Sequence, residues 1–275
     1  MVNLRSFALC LLVAAPAVAG AQTKITLRPT PKPQQTLHVM TTQEFSISMD
    51  PGPTAPGVQV LNKVVFDFTQ SNGTFDDQDR MESRLVIDRI EVEEVLNGAK
   101  KTPDDAAKFV GQSLTAVFDR AGKLVTIKLP KSLEQSSARL RTPIATAYGA
   151  LSNFPATALA VGETATVPWD IPLRLPGSTA QGPLKVQAVI TLRAIEKRGD
   201  DRIAHFDQRI EAPSEPDQLK VAGTGTVDLN LDRGFIEATA TEWTVVGSYR
   251  QKGSPADAQP SNVRATLKMT MTAKE

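Results

Sequence analysis

Two histidines, His38 and His205, and one thiol, Cys10, are the side chains in this 275-residue chain best suited to metal binding or nucleophilic chemistry. A tetrahedral zinc site needs three or four ligands, and each histidine stands isolated in a strand-like stretch. Neither is accompanied by the Gly-x-Ser-x-Gly elbow that would present a nucleophile to it. Asp76, Asp77, Asp79 and Glu82 bring four carboxylates into seven residues, a density that calcium favours. They lack the central glycine and the terminal glutamate of the known calcium loop, so they read as a solvated turn. Glu91, Glu93 and Glu94 offer acids for a glycosidase-like pair. Nothing in the chain brings two of them to either side of one bond, and they read as a wet strand face. Gly223 and Gly225 imitate part of a dinucleotide fingerprint, but inside a strand rather than in a turn before a helix. Asn72-Gly73-Thr74 has the form of a glycosylation acceptor and reads as a turn. The expectation is a non-enzymatic protein with no catalytic residues, no cofactor and no metal.

Composition narrows the classes further. Arg5 opens a short basic region, Phe7 to Val18 is mostly apolar, and Ala17-Val18-Ala19 or Ala19-Gly20-Ala21 ends it with small residues. This is the pattern of a secretory signal peptide, too short to span a membrane. Cys10 lies within it, so the mature chain would hold no cysteine and no disulfide staple. A bacterial periplasm, or the space outside a bacterial cell, suits such a chain. Removing the first 19 of 275 residues leaves 256, enough for one large domain or two modest ones. It also removes Arg5, so that 30 basic residues face 30 acidic ones. A charge near zero with sparse aromatics argues against nucleic acid as a partner. No later stretch reaches the length of a transmembrane helix.

The elements are read from alternation. Val221, Gly223, Gly225, Val227, Leu229 and Leu231 fall on one side of an extended chain; Thr224, Thr226, Asp228, Asn230 and Asp232 fall on the other. Asp232-Arg233-Gly234 turns the chain, and Phe235 to Val246 returns with Trp243 and Val245 on one face. Two glycines inside one arm predict a strongly curved sheet. A shorter hairpin precedes it, with Leu114 to Phe118, Asp119-Arg120-Ala121-Gly122 and a return over Lys123 to Leu129. The shared Asp-Arg and glycine admit a weak internal repeat, or only the likeness of all such hairpins. Phe45 to Met49, Val64 to Phe68, Val186 to Ala194 and Val263 to Met271 alternate in the same way. Leu133, Leu140, Ile144, Ala147 and Leu151 share a helical stripe over 132–153, and Pro143 would kink it.

The predicted layout is a signal peptide over 1–19, with cleavage alternatively after 21, and a lead-in over 22–35. A first β lobe follows over 36–129, a kinked helix and linker over 130–163, and a second β lobe over 164–275. The predicted fold is mainly β: curved antiparallel sheets in two half-barrel-like lobes, with one kinked helix covering or bridging them.

Several features together resemble a known group. They are an exported chain, long curved hairpins, the arm carrying Gly223 and Gly225 before Asp232-x-Gly234, and a helix crossing a half-open sheet. Phe154-Pro155 followed by Leu159-x-Val161-Gly162-Glu163-Thr164 adds to them. The chain is similar to an uncharacterised family of bacterial secreted proteins, itself distantly similar to the half-barrel lipoprotein carriers and lipid-binding proteins of the cell envelope. That resemblance implies an acyl chain held against the concave face, although none of the carriers' binding residues maps onto this chain. The concave face would either be packed throughout or leave a groove for a lipid or other apolar small molecule. Phe66, Phe68, Phe118, Val227, Leu229, Trp243 and Leu267 are the candidate lining residues. The alternative is a cell-envelope module that docks on another protein, with a hydrolase third. The intact mass of the protein recovered from a bacterial periplasm tests the export reading. A chain beginning at Gly20 or Gln22 is expected, and an uncleaved Met1 contradicts it.

Overall fold

The computed structural model describes residues 24–50, 57–101, 106–131, 154–155, 157–171, 184–211, 219–249 and 261–275. Among these residues twelve strands form one sheet, and every pairing is antiparallel. In chain order they are β1 (Thr36–Asp50), β2 (Val58–Phe75), β3 (Arg80–Leu96), β4 (Ala99–Lys101), β5 (Ser113–Asp119) and β6 (Leu124–Lys128). Then come β7 (Thr164–Ile171), β8 (Leu184–Arg198), β9 (Asp201–Glu211), β10 (Lys220–Asn230), β11 (Phe235–Tyr249) and β12 (Ser261–Lys274). The spatial order is β6-β5-β3-β2-β1-β12-β11-β10-β9-β8-β7, with β4 paired to β3 beside this path. The sheet is therefore an up-and-down meander whose first and last strands meet in the middle. Its two edges are β6 and β7.

This corrects the expected pair of half-barrel lobes. The strands before and after residue 131 belong to a single open sheet, joined by thirteen residue pairs from His38–Lys274 to Asp50–Asn262. β1 and β12 are of nearly equal length, buried residues alternate along most of both, and each has a hairpin partner on one side only, which leaves the other side of each to pair. The only helical element among the described residues is one turn of 3-10 helix, Ala106–Phe109. The kinked helix expected over 132–153 lies outside the described residues.

Alternation sets the two faces. On β1 the odd-numbered Leu37, Val39, Thr41, Gln43, Ile47 and Met49 are buried; on β12 the odd-numbered residues from Ser261 to Ala273 are buried. We call this the inner face. The outer face is charged, and one row across it alternates in sign. Glu242, Lys268, Glu44, Lys63 and Glu93 are successive cross-strand neighbours on β11, β12, β1, β2 and β3. Ion pairs join Lys268 to Glu242 at 3.3 Å, Lys63 to Glu44 at 2.8 Å and Lys100 to Glu93 at 3.1 Å. Such cross-strand pairs favour one register, since a slip by one residue would turn the row inward.

Tight turns and bulges give the sheet its shape. Asn97-Gly98 and Gly199-Asp200 are two-residue hairpin turns with positive φ at Asn97, Gly98 and Gly199. Asp76 Oδ1 accepts the backbone N–H groups of Gln78 and Arg80, so one member of the acidic run organises the turn before β3. Gly223 and Gly225 point inward on β10, and a Cβ at Gly223 would lie 2.4 Å from the Trp243 Cβ on the paired strand. The curvature read from these glycines is thus a close approach of two strands under an indole. A bulge between Leu192 and Ala194 puts Ala194 outward, although the alternation of β8 placed it on the inner face. Asn72-Gly73, read as a turn, lies within β2, where Asn72 is buried and the turn follows at Asp76–Asp79.

Two glycines with similar φ separate conformational strain from crowding. Gly199 (φ 63°) has open space where a Cβ would sit, whereas at Gly234 (φ 75°) a Cβ would meet the Thr30 carbonyl oxygen. Gly199→Ala should cost about 1–2 kcal/mol, and Gly234→Ala about 2–4 kcal/mol, in urea unfolding. Equal losses would show that the contact of the lead-in with this turn adds nothing.

Candidate functional site

The inner face carries two apolar clusters. The larger gathers Leu37, Val39, Phe66, Phe68, Leu85, Ile87, Leu114 and Phe118 from the first wing, with Ile190, Leu192, Ala204, Phe206, Leu229, Phe235 and Ile236 from the second. Residues from both sides of the β1–β12 seam pack in one cluster, so the wings curl toward each other. The smaller holds Ile47, Met49, Trp169, Val186, Ile210, Trp243, Val245 and Leu267. Between them runs a row of cross-strand neighbours, Gln43, Met269, Thr241, Gly225 and Gln208, in which the polar members are buried.

All seven residues expected to line a ligand site face inward. Phe66, Phe68, Phe118 and Leu229 are buried in the larger cluster and Val227 packs against it. Trp243 and Leu267 are buried in the smaller one. The Phe66 and Phe68 rings are 5.2 Å apart at a tilt of 47°. On the first wing the inward side chains Phe45, Val58, Val60, Val64 and Val92 are only half-buried.

The lead-in before β1 has a specific seat. Ile25 and Leu159 exchange two backbone hydrogen bonds of 2.9 Å, Lys24 pairs with Glu163 at 2.9 Å, and Leu27 is fully buried in the larger cluster. Phe154, in the motif preceding β7, packs edge-on against Phe206 at 6.1 Å. Residues 29–35 then pass between the two Asp-Arg turns. A Cβ at Gly122 would lie 2.6 Å from the Pro29 carbonyl oxygen, and one at Gly234 would collide with that of Thr30. Asn72 Nδ2 donates to the Lys32 carbonyl at 3.0 Å, Asn72 N donates to the Gln35 carbonyl at 2.9 Å, and Asn72 Oδ1 accepts from Gln70 Nε2 and Ser83 Oγ. The residues read as a surface turn thus anchor the lead-in. Among these elements lies a cavity of about 70 Å³, bordered by Pro29, Pro31, Gln35, Leu37, Phe118 and Met271 among others. Phe118 is the one expected lining residue that reaches it.

A polar network fixes the second turn. Asn230 is fully buried and uses its whole amide: Nδ2 donates to Asp201 Oδ2 at 3.1 Å and Glu237 Oε1 at 2.9 Å, while Oδ1 accepts from the backbone N–H groups of Asp232 and Arg233. Arg202 clamps Asp232 through Nε and Nη2, and Lys32 Nζ donates to the Asp232 carbonyl. Arg233 pairs with Asp201 at 2.7 Å and Glu275 at 2.9 Å. The Arg202 side chain, then its backbone N–H, hold the Asp232 carboxyl below its ordinary range. The Ala160 N–H and then Lys24 do the same for Glu163, and His205 followed by Arg198 does so for Glu196.

The histidines, read as isolated, have partners. His205 Nδ1 lies 2.7 Å from Asp228 Oδ1, and Nε2 lies 3.1 Å from Glu196 Oε2. His38 Nδ1 lies 3.1 Å from Thr69 Oγ1, which donates to Asp88 Oδ2 at 2.7 Å. Both groups sit on the outer face, away from the cavity under the lead-in. Thr69 gives its proton to a carboxylate rather than to the imidazole, which is not the arrangement of an activated nucleophile. Among the described residues no group of three metal-ligating side chains is placed to hold one metal ion, since Asp228 and Glu196 lie on opposite nitrogens of the His205 ring. A wide shallow concavity on the outer face, of about 710 Å³, is bordered by Thr164, Thr191, Thr224, Thr226 and Thr270 with paired charges between them. The residues that sequence reading missed are Gln35, Asn72 and Asn230. Their only trace in sequence is an amide beside a turn or a strand end.

No protein-family model matches the chain, and no curated protein matches it. Among solved structures it has a weak, partial similarity to lipovitellin, a structure described for its lipid–protein interactions. The TM-score is 0.47 at 11% identity over 89% of this chain, which spans 25% of that chain. An outer membrane channel from Pseudomonas putida F1 is similar at a TM-score of 0.20 and 9% identity, with 88% of this chain and 96% of that one covered. OccK7 (OpdD) from Pseudomonas aeruginosa follows at 0.18 and 8%, with 87% and 99% covered. Among the described residues no helix is long and apolar enough to cross a membrane.

Lowered carboxyl groups predict an acid limb of stability. Asp232, Glu163 and Glu196 bind protons less readily folded than unfolded, so their contribution is complete above the unfolded values, about 4. It is lost as pH falls through the lower folded values. The urea midpoint should stay level from pH 7 to 5, fall below about pH 4, and fall less steeply in Asp232→Asn. An unchanged slope in that variant would remove the Arg202–Asp232 clamp from the account.

Proposed function

We propose that the chain is an exported, non-enzymatic bacterial protein that holds an apolar molecule, or the lipid of a lipid-modified partner, against the inner face of its sheet. The observation that carries this reading is the contrast between the faces. Apolar side chains run from wing to wing inside, five of them only half-buried on β1, β2 and β3, while the outer face carries alternating charges. A charged outer face is the reverse of the apolar band of a membrane-spanning barrel. Among the described residues β6 pairs only with β5 and β7 only with β8, and on this reading the apolar group reaches the interior between these two edges.

The docking alternative by strand addition finds less support. β6 is five residues long and ends in Lys128, and β7 carries Pro168, which cannot donate to a further strand. These are the devices by which natural edges discourage pairing.

Native mass spectrometry of the protein purified from a bacterial periplasm, followed by organic extraction, tests the proposal. A lipid or other apolar molecule in stoichiometric amount is expected. A protein that is empty and also fails to take up a panel of acyl lipids would overturn the reading.

A further inference from the structure

On the inner face the first wing leaves an apolar strip only half-buried: Phe45 on β1, Val58, Val60 and Val64 on β2, and Val92 on β3. One row across that strip carries charge. Glu94 is the cross-strand neighbour of Asn62, and Asn62 of Phe45, so Glu94 shares the face of the strip. Val92 and Val64, paired with each other, stand two residues away along the same strands. Glu91 and Glu93 fall on the outer face, and Glu94 is the acid of that run that turns inward. On its other side Glu94 is paired with Lys101 of β4, and residues directly opposite in an antiparallel pair share a face. An acid and a base therefore stand side by side at the margin of an apolar strip.

They do not neutralise each other. Among the described residues neither Glu94 nor Lys101 has an ion-pair partner, whereas Lys100 on the outer face reaches Glu93 at 3.1 Å. Glu94 is half-buried and Lys101 exposed, so both charges stay open to a molecule lying on the strip. The inward positions of β1, β2 and β12 hold no other ionisable side chain.

We propose that this margin is a headgroup site for a zwitterionic phospholipid, with its ammonium against Glu94, its phosphodiester against Lys101 and an acyl chain along Phe45, Val60, Val64 and Val92. The proposal deepens the reading of the inner face as the seat of an apolar ligand and rests on that reading. Charge complementarity selects the class. A fatty acid would set its carboxylate beside that of Glu94. An anionic phospholipid answers Lys101 alone, and an alkylamine answers Glu94 alone. A phosphate and an ammonium two carbons apart answer both, because directly opposite side chains start from Cβ atoms about 4.5–5.5 Å apart.

The test is equilibrium dialysis of the full mature chain against three lipids with the same short chains, each kept below its micelle concentration. They are dihexanoylphosphatidylcholine, dihexanoylphosphatidylglycerol and the uncharged dihexanoylglycerol. The first should bind about three- to tenfold more tightly than either of the others, the range of one partly exposed charge contact. In Glu94→Gln the two phospholipids should bind alike. Lys101→Gln should reduce the advantage of the zwitterionic lipid over dihexanoylglycerol, and Glu93→Gln on the outer face should leave every ratio unchanged. Equal binding of the two phospholipids by the unaltered protein overturns the proposal, as does a preference that survives Glu94→Gln. The uncharged lipid tells the two possible failures apart. Three lipids bound alike remove the headgroup site and keep the apolar seat, whereas uptake of none removes both.

Discussion

Every other part of the structure depends on the pairing of β1 with β12. Each half of the chain is a meander of consecutive hairpins, and such hairpins alone would make two small sheets with four edges. The seam between the first and last strands merges them, hides two of those edges and brings the wings close enough to share a cluster of side chains. It is also the contact of greatest sequence separation in the sheet, so its loop-closure entropy must be met before its hydrogen bonds contribute. Hairpins on either side can form early and cheaply. Late closure of the seam is what such a topology leads one to expect, because its long loop must be closed before the non-local pairs are rewarded.

The lead-in packs into one end of the curved sheet and buries Leu27 there. It lies across the end where the wings converge, and both turns that flank it end in a glycine because its backbone carbonyls sit where a side chain would begin. The same two turns carry arginines that look outward. Arg120 pairs with Asp79 and lies 5.0 Å from the centre of the Phe75 ring, and Arg233 ties the turn to Asp201 and Glu275. Glycine inside and arginine outside are therefore two halves of one arrangement, repeated on both wings. The likeness between the Asp119–Gly122 and Asp232–Gly234 turns has a shared mechanical cause, whatever its origin.

The strands were legible because one face of each is wet. Period two places Phe66, Phe68, Phe118, Val227, Leu229, Trp243 and Leu267 on the inner face without any knowledge of topology, and the glycines of β10 announce the close approach to Trp243. What stayed hidden is non-local. Nothing in Thr36–Asp50 names Ser261–Lys274 as its partner, since any strictly alternating strand of that length would serve. Bulges shift a register without changing composition, so Ala194 reads as inward and sits outward. Asn72-Gly73 has turn composition, yet its amide is used by Lys32 and Ser83 from distant stretches. The function of a polar residue in this chain is set by which carbonyl arrives beside it, and that is decided by the whole sheet.

The row of alternating charges on the outer face has an effect at a distance. Neighbouring strands are about 4.8 Å apart, so opposite charges succeed one another well within a screening length of about 8 Å at physiological salt. Their fields cancel before an approaching molecule can feel them. Along this row the surface is hydrated, and the cancelling charges contribute little potential at a distance. A large body meeting this face finds, for each attractive charge, a repulsive one a strand away. Along this row long-range attraction is weak, and recognition of the row would depend on contacts made at short range.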